Sequence, residues 1–492
     1  MGKKLKILLA SSEVHPFAKT GGLADMAGSL PSALSGLGHD VRVIMPYYKC
    51  VSGGSHEIRP ANAHVDVPVG PVRQRGWLFE GRLDGGLPVY LVNNQAYYYR
   101  DQLYGENGRD YRDNAERFIF FSRSILEACK ALSFRPDIVH CHDWQTGLVP
   151  AYLKTVYAGD DFFRNTRSVF TVHNLGYQGN FPSFYLQAAN LPWESFTPEG
   201  VEFYGHFSFL KTGLVFGDML TTVSPSYGKE ILDPEFGFGL DGVLRKRGKD
   251  LSGILNGADY REWDPARDPL IKKNYGPGSL AGKIACKKDL IRKFSLKVDE
   301  KAPIVSMVTR LSRQKGIDLV MEGADALLKA GAAFTLLGSG DPAYQDFFVE
   351  LSKRHRDRCA CLIGFDETSA HRIMAGSDIL LVPSFYEPCG LTQIYGLKYG
   401  AVPLVRAVGG LRDTVQEFNP RTGQGAGFKF MPFESKQMLK AARKALAVYK
   451  DKDLWRRLLA NGMSKDYSWD RSAARYCGLY LKALKKPART GI

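Results

Sequence analysis

The sequence predicts an α/β protein of two doubly wound domains, each a largely parallel sheet with helices on both faces. Three observations lead there. The chain has 492 residues, beyond the ~250–300 at which a single core stops growing. Strand-sized apolar runs alternate with amphipathic stretches, the pattern of a parallel sheet covered by helices. These runs form two series separated by residues 256–302, a stretch rich in proline, glycine and charge such as Trp263-Asp264-Pro265 and Tyr275-Gly276-Pro277-Gly278. Such composition marks a domain junction, so the boundary is placed near Asp259, with domains at 1–258 and 259–469.

In the first series, strands are expected at 5–10, 41–45, 89–92, 138–141, 169–172, 219–223 and 254–255, with helices at 23–37 and 114–132. In the second, strands are expected at 304–308, 334–337, 361–363, 379–382 and 402–405. Each series has the form of one Rossmann-like domain. A last amphipathic stretch, 470–484, follows the second series, and chain order alone leaves open which domain it packs on.

The start, Met1-Gly2-Lys3-Lys4-Leu5-Lys6-Ile7-Leu8-Leu9-Ala10, is basic and then apolar like a signal peptide. Ser11, Ser12 and Glu13 interrupt it, and no small-residue cleavage site follows, so it reads as the first buried strand. No apolar run approaches the ~20 residues that span a bilayer, and no membrane partner is expected. The eight cysteines are scattered; Cys359 and Cys361 form the one close pair, with no second pair at zinc spacing. Reduced thiols and a cytoplasmic location fit that usage. The formal charge of +15 favours anionic ligands, yet the basic residues are spread along the chain and no nucleic-acid-binding signature is present.

Open α/β sheets bind ligands beyond the carboxyl ends of their strands, so the residues after each apolar run are the first candidates. After the first strand comes Lys19-Thr20-Gly21-Gly22-Leu23, where glycines admit a ligand to the backbone and the next helix offers unpaired N–H groups to an anion. A plain strand-to-helix turn fits the same spacing. It is not the Walker pattern. His140-Cys141-His142-Asp143-Trp144 follows the strand at 138, with His140 and His142 on one strand face. That spacing allows a metal but lacks a third ligand. The preferred reading is a sugar site, in which Asp143 accepts hydroxyl hydrogen bonds and the Trp144 face packs on the ring. His173, in Thr171-Val172-His173-Asn174, either joins that site or caps its strand.

In the second half, Thr309-Arg310-Leu311-Ser312-Arg313-Gln314-Lys315-Gly316 places Arg310, able to fork onto two phosphate oxygens, near the point charge of Lys315. The strand at 379 leads into Glu387-Pro388-Cys389-Gly390-Leu391-Thr392, where Pro388 keeps Glu387 extended and the next helix presents N–H groups to an anion. Alternatively, Glu387 only caps that helix. Together these cations and dipole would stabilise a leaving diphosphate without a metal. The one Asp-x-Asp pair, Asp451-Lys452-Asp453, opens a late amphipathic segment, where acids suit the helix dipole.

Six segments in order resemble the bacterial glycogen synthase and plant starch synthase family over nearly the whole chain. They are Lys19-Thr20-Gly21-Gly22-Leu23-Ala24-Asp25, His142-Asp143-Trp144, Thr171-Val172-His173-Asn174-Leu175, Leu255-Asn256-Gly257, Arg310-Leu311 with Gln314-Lys315-Gly316, and Glu387-Pro388-Cys389-Gly390-Leu391-Thr392-Gln393. The resemblance implies a GT-B glycosyltransferase whose two Rossmann-like domains face each other across a deep cleft, with 470–492 packing back on the first. It implies retaining transfer of glucose from ADP-glucose to the non-reducing end of an α-1,4-glucan such as glycogen, with no cofactor and no metal. Carried over by motif, Arg310 and Lys315 hold the diphosphate, Asp143 and His173 line the glucose pocket, and Glu387 binds sugar hydroxyls. Lys19 and Gly22 approach the donor, Tyr99 lies near its sugar, and Asn256, Gly390, Leu391 and Thr392 complete the substrate contacts.

The family pattern has tyrosine where Phe365 stands; phenylalanine still stacks on adenine but lacks the hydroxyl. The competing readings are a UDP-sugar transferase of the same architecture and a non-catalytic glucan-binding regulator.

Overall fold

The computed structural model describes residues 3–54, 56–106 and 108–487. It contains two compact units, residues 1–257 with 469–492 and residues 258–468. Of the terminal segment 470–492, residues 470–487 are described, and its helix Trp469–Leu484 packs on the helix Gly22–Gly36.

The first unit carries a nine-stranded sheet. In chain order its strands are β1 (Lys6–Ala10), β2 (Asp40–Pro46), β3 (Arg59–Val69), β4 (Val72–Leu83), β5 (Leu87–Asn93), β6 (Ile138–His142), β7 (Arg167–Val172), β8 (Met219–Thr222) and β9 (Leu251–Gly253). Side by side they run β9-β8-β7-β6-β1-β2-β5-β4-β3. All neighbours are parallel except the β3–β4 and β4–β5 pairs. From β1 the chain builds outward through β2, then returns to place β6 on the other side of β1. The topological switch point therefore lies between β1 and β6. Ile7, Leu8, Leu9 and Ala10 are buried, so the basic-then-apolar start forms a central strand.

The second unit has six parallel strands. They are β10 (Ile304–Val308), β11 (Ala333–Gly338), β12 (Cys359–Ile363), β13 (Ile379–Val382), β14 (Val402–Arg406) and β15 (Phe428–Phe430), in the order β12-β11-β10-β13-β14-β15. Its switch point lies between β10 and β13.

The structure corrects the sequence-based expectations in three places. The hairpin β3–β4 was not expected, because its strands alternate exposed and buried residues instead of forming continuous apolar runs. The edge strand β15 is three residues long and too short to register. The strand expected at 254–255 is instead β9, ending at Gly253. Asp451 of the Asp-x-Asp pair caps the helix Lys452–Met463, its Oδ1 accepting from the backbone N–H groups of Asp453 and Leu454 at 3.1 Å.

One buried ion pair ties the second sheet together. Lys287 Nζ donates to Asp378 Oδ2 at 2.7 Å, to the Ala302 carbonyl at 2.7 Å and to the Tyr449 hydroxyl at 2.8 Å. Asp378 Oδ2 also accepts from Ile304 N at 2.9 Å, which fixes the start of β10 beside that of β13. Removing the carboxylate strands a buried ammonium and a buried N–H. Asp378→Ala is expected to lower stability by ~3–5 kcal/mol in urea unfolding; a change under ~1 kcal/mol would show that the pair is not structural.

Candidate active site

In the first unit, the expected residues follow the carboxyl ends of the strands, and two groups of them flank the β1–β6 switch point. After β1, Lys19-Thr20-Gly21-Gly22 leads into the helix Gly22–Gly36, which has no side-chain cap. Among the described residues no atom would crowd a side chain at Gly21 or Gly22, so the space there is open to a ligand. Lys19 Nζ reaches Asp25 Oδ1 at 2.6 Å and stays partly exposed. The loop is held by Glu13, a buried carboxylate that sequence reasoning missed. Its Oε1 accepts from the Thr20 hydroxyl at 2.6 Å and from the Tyr104 hydroxyl at 2.7 Å, and its Oε2 accepts from Thr20 N. A lone acid soon after a strand gives no sequence signal of that role; the buried partners supply it.

After β6, Asp143 sits at φ 56°, a conformation that costs a non-glycine residue ~1–3 kcal/mol and concentrates at functional sites. Its N–H donates to the Thr171 carbonyl at 2.9 Å and its Oδ1 accepts from His173 N at 2.7 Å, joining the ends of β6 and β7. Burial pushes Asp143 up to about 7, against the backbone donors of His173 and Asn174, which favour its ionised form.

His142 Nδ1 lies 3.1 Å from His173 Nε2, and His142 Nε2 has no partner among the described residues. Burial pushes His173 down to about 3 and His142 well below its ordinary value, so each ring is neutral with one N–H. A buried orphan acceptor costs less than a buried orphan donor. The His142 proton therefore belongs on Nδ1, donating to His173 Nε2, and the His173 proton belongs on Nδ1, where it can serve a ligand. His140 is engaged on both nitrogens, by the Tyr480 hydroxyl at 2.9 Å and the Thr171 hydroxyl at 2.6 Å, so the metal reading of His140 and His142 falls away.

Trp144 is a correction. The sugar-stacking face expected of it is instead core: the indole is buried edge-on to Phe118 at 4.8 Å and packed beside Phe181 and Phe209. Of the run Tyr97-Tyr98-Tyr99, the first two are buried and Tyr99 is 57% exposed, which makes Tyr99 the one able to meet a ligand. Asn256 follows β9, buried, with Oδ1 unpartnered.

In the second unit the expected residues flank the β10–β13 switch point. Arg310 leaves β10 exposed, and its guanidinium makes no hydrogen bond or ion pair with the described residues. Lys315 ends a short 3-10 turn, Arg313–Lys315. Gly316, at φ 71°, presses on the Pro383 carbonyl so closely that a Cβ would overlap it. Phe385 N donates to the Gln314 carbonyl at 2.8 Å. These two contacts dock the loop after β10 onto the loop after β13. They bring Lys315 Nζ to Glu387 Oε2 at 2.6 Å, where the Ser384 hydroxyl also donates at 2.9 Å. Glu387 is 6% exposed, so it anchors Lys315 and does not cap the helix.

Gly390 and Leu391 precede the helix Thr392–Lys398, with Leu391 at its N-cap. Gln393 Nε2 donates to the Cys389 and Gly390 carbonyls and to Thr414 Oγ1, holding the turn. Gly409 and Gly410, also missed in the sequence, pass so close to the Glu387 and Cys389 carbonyls that neither tolerates a Cβ. Their signal is a paired glycine after a strand, like that at Gly21 and Gly22. Phe365 follows β12 and is 80% exposed. A strongly exposed aromatic ring at a strand end fits stacking on a flat ligand.

Comparisons with known proteins identify the family and the fold. Residues 6–246 match the starch synthase catalytic domain family and residues 289–461 the glycosyl transferases group 1 family. The chain is 47% identical over 97% of its length, and 98% of the relative's, to a glycogen synthase of Koribacter versatilis. It is 44% identical over 97% of its length, and 99% of the relative's, to glycogen synthase 2 of Geobacter sulfurreducens. Among solved structures, the catalytic domain of starch synthase IV from Arabidopsis thaliana bound to ADP and acarbose superposes with a TM-score of 0.92. That pair shares 33% identity and covers 98% of this chain and 100% of the other. Sucrose-phosphate synthase from Thermosynechococcus elongatus, with a TM-score of 0.58 at 18% identity over 97% of this chain and 99% of the other, shares the fold. With loops of the expected chemistry at both switch points and relatives matching along nearly its whole length, the chain belongs to the glycogen and starch synthase family of glycosyltransferases.

Proposed function

We propose that the chain is a glycogen synthase that moves glucose from ADP-glucose to the non-reducing end of an α-1,4-glucan, retaining the α configuration. The observation that carries this reading is the Lys315–Glu387 pair at the second switch point, with the exposed guanidinium of Arg310 on the same loop after β10. Arg310, Lys315 and the start of the helix Thr392–Lys398 stabilise the departing diphosphate, the role a divalent metal fills in other enzymes of this chemistry. Glu387 holds Lys315 and presents its remaining oxygen to sugar hydroxyls. Asp143 accepts from the glucose, and His173 donates from Nδ1. The acceptor hydroxyl attacks on the face the diphosphate leaves, and the diphosphate takes its proton. Lys19, Gly22, Tyr99 and Asn256 complete the contacts of the first unit; Phe365 stacks on the adenine, and Gly390, Leu391 and Thr392 meet the phosphates. The ADP bound to the starch synthase IV relative supports the donor. Among the described residues no helix is long and apolar enough to cross a membrane. Eight unbonded thiols support a reducing, cytoplasmic setting.

The test supplies ADP-glucose and UDP-glucose separately with a glycogen primer and measures glucose incorporation. A strong preference for ADP-glucose is expected. Equal rates would overturn the donor, and glucan binding without incorporation would overturn the enzyme.

Asp143 gives a pH prediction. Its folded value, about 7, lies above the ordinary 3.8, so the native state holds a proton that the unfolded chain has already lost. That contribution to stability is complete below about pH 4 and is lost as pH rises through about 7. Asp143→Asn is expected to flatten the fall in urea midpoint across this window. Ionisation of Asp143 creates the acceptor, so kcat/KM is expected to rise over the same range in the native enzyme and to lose that limb in the variant.

A further inference from the structure

The second unit contains a group of ligating side chains that the reaction above does not use. Glu262, Glu367 and His371 each offer one ligand atom, and these atoms all lie within 4.8 Å of one another. Glu367 and His371 are four residues apart on the helix Glu367–Gly376 and so share a face. Glu262 reaches them from the segment that opens the second unit.

The imidazole is built like a ligand. Its Nδ1 lies 2.7 Å from Asp268 Oδ2, which also accepts from the Tyr399 hydroxyl at 2.6 Å, while the other Asp268 oxygen accepts from Leu270 N at 2.8 Å. With both of its oxygens accepting hydrogen bonds, Asp268 orients the imidazole and accepts a hydrogen bond from His371 Nδ1. Trp263 stacks on the ring at 3.8 Å, and Tyr395 stacks on Trp263 at 4.4 Å, which fixes the ring plane. His371 is 1% exposed, and its Nε2 has no hydrogen-bond partner among the described residues.

A buried imidazole nitrogen and two carboxylate oxygens within 4.8 Å of one another form a donor set that suits a cation. A carboxylate that orients one imidazole nitrogen so that the other faces a metal is the usual outer support of a histidine ligand. We propose that Glu262, Glu367 and His371 bind a divalent transition metal of the zinc class, with His371 ligating through Nε2 and Asp268 orienting it. One imidazole with two carboxylates suits zinc, whereas magnesium and calcium prefer oxygen alone. Both glutamates lie on flexible stems and close on the ion to ~2.0–2.2 Å. The ion would sit two residues beyond Phe365 in the chain, apart from the residues assigned to the diphosphate.

The test is isothermal titration of zinc into the full-length, chelator-treated protein, with cobalt absorption spectra as a second readout. One equivalent is expected, with a cobalt spectrum lacking thiolate charge-transfer bands. Glu262→Gln and Glu367→Gln are each expected to weaken binding at least ~10-fold, with circular dichroism of the metal-free variants showing that both fold. Cys359→Ser/Cys361→Ser serves as the control, because those sulfurs lie 3.9 Å apart. No zinc uptake, uptake unchanged in both glutamine variants, or uptake lost only in the cysteine variant would each overturn the site. None of these readouts depends on glucosyl transfer, so the result stands apart from the proposed reaction.

Discussion

Arg310→Ala is expected to lower turnover on ADP-glucose and glycogen by several powers of ten while leaving the unfolding midpoint where it was. The two halves of that expectation rest on one observation: the guanidinium is exposed and bonded to no described residue, so its removal breaks nothing in the folded chain. Its charge is available to a ligand, which is the role proposed for it. A preorganised donor aimed at charge that develops in the transition state is worth ~10²–10³ in kcat, and a bidentate cation facing a diphosphate exceeds a single neutral donor. Arg310→Lys keeps the charge and loses the fork, so it should recover only part of the rate. The measurement is initial-rate kinetics at saturating donor and primer. A loss below about tenfold, ~1.4 kcal/mol, would remove Arg310 from the diphosphate.

Lys315→Ala should behave differently, because Lys315 is paired before any substrate arrives. Its Nζ lies 2.6 Å from Glu387 Oε2, with side-chain exposures of 19% and 8%. Truncation removes a cation from the diphosphate and also leaves a buried carboxylate with only the Ser384 hydroxyl. Turnover is expected to fall by ~10²–10³, accompanied by a lower unfolding midpoint that Arg310→Ala does not show. A double-mutant cycle separates the causes. Glu387→Ala alone strands the lysine, so the double variant should lose less stability than the sum of the singles, by ~0.5–3 kcal/mol. Strict additivity would mean that the contact contributes nothing in solution.

Much of the fold was legible because buried parallel strands are short continuous apolar runs. Ile304–Val308 and Ile379–Val382 match their expected bounds, and the other expected strands of the second sheet differ by a residue or two, while β15 was missed. The hairpin Arg59–Val69 with Val72–Leu83 was illegible for the opposite reason. An antiparallel pair with one wet face alternates, and its prolines and glycines read as loop. Trp144 shows a limit of another kind. A tryptophan beside a strand-end aspartate has the same sequence whether it faces a sugar or Phe118, and only packing distinguishes them.

By itself the sequence determined most of the buried parallel strands, which polar residues follow them, and the chemistry each offers: a fork of charge at Arg310, a point charge at Lys315, an open turn at Gly21 and Gly22. These are local properties, set by composition and spacing over a few residues. Tertiary structure decided which of those segments meet. Residues 315 and 387 become partners because β10 and β13 are neighbours in space at a switch point, and because Gly316 and Phe385 dock one loop on the other. Asp143 reaches His173 because β6 pairs with β7. Burial then changed the chemistry, lifting Asp143 to about 7 and keeping His142 and His173 neutral. Desolvation is a property of the surroundings, and the surroundings of a side chain come from the whole fold.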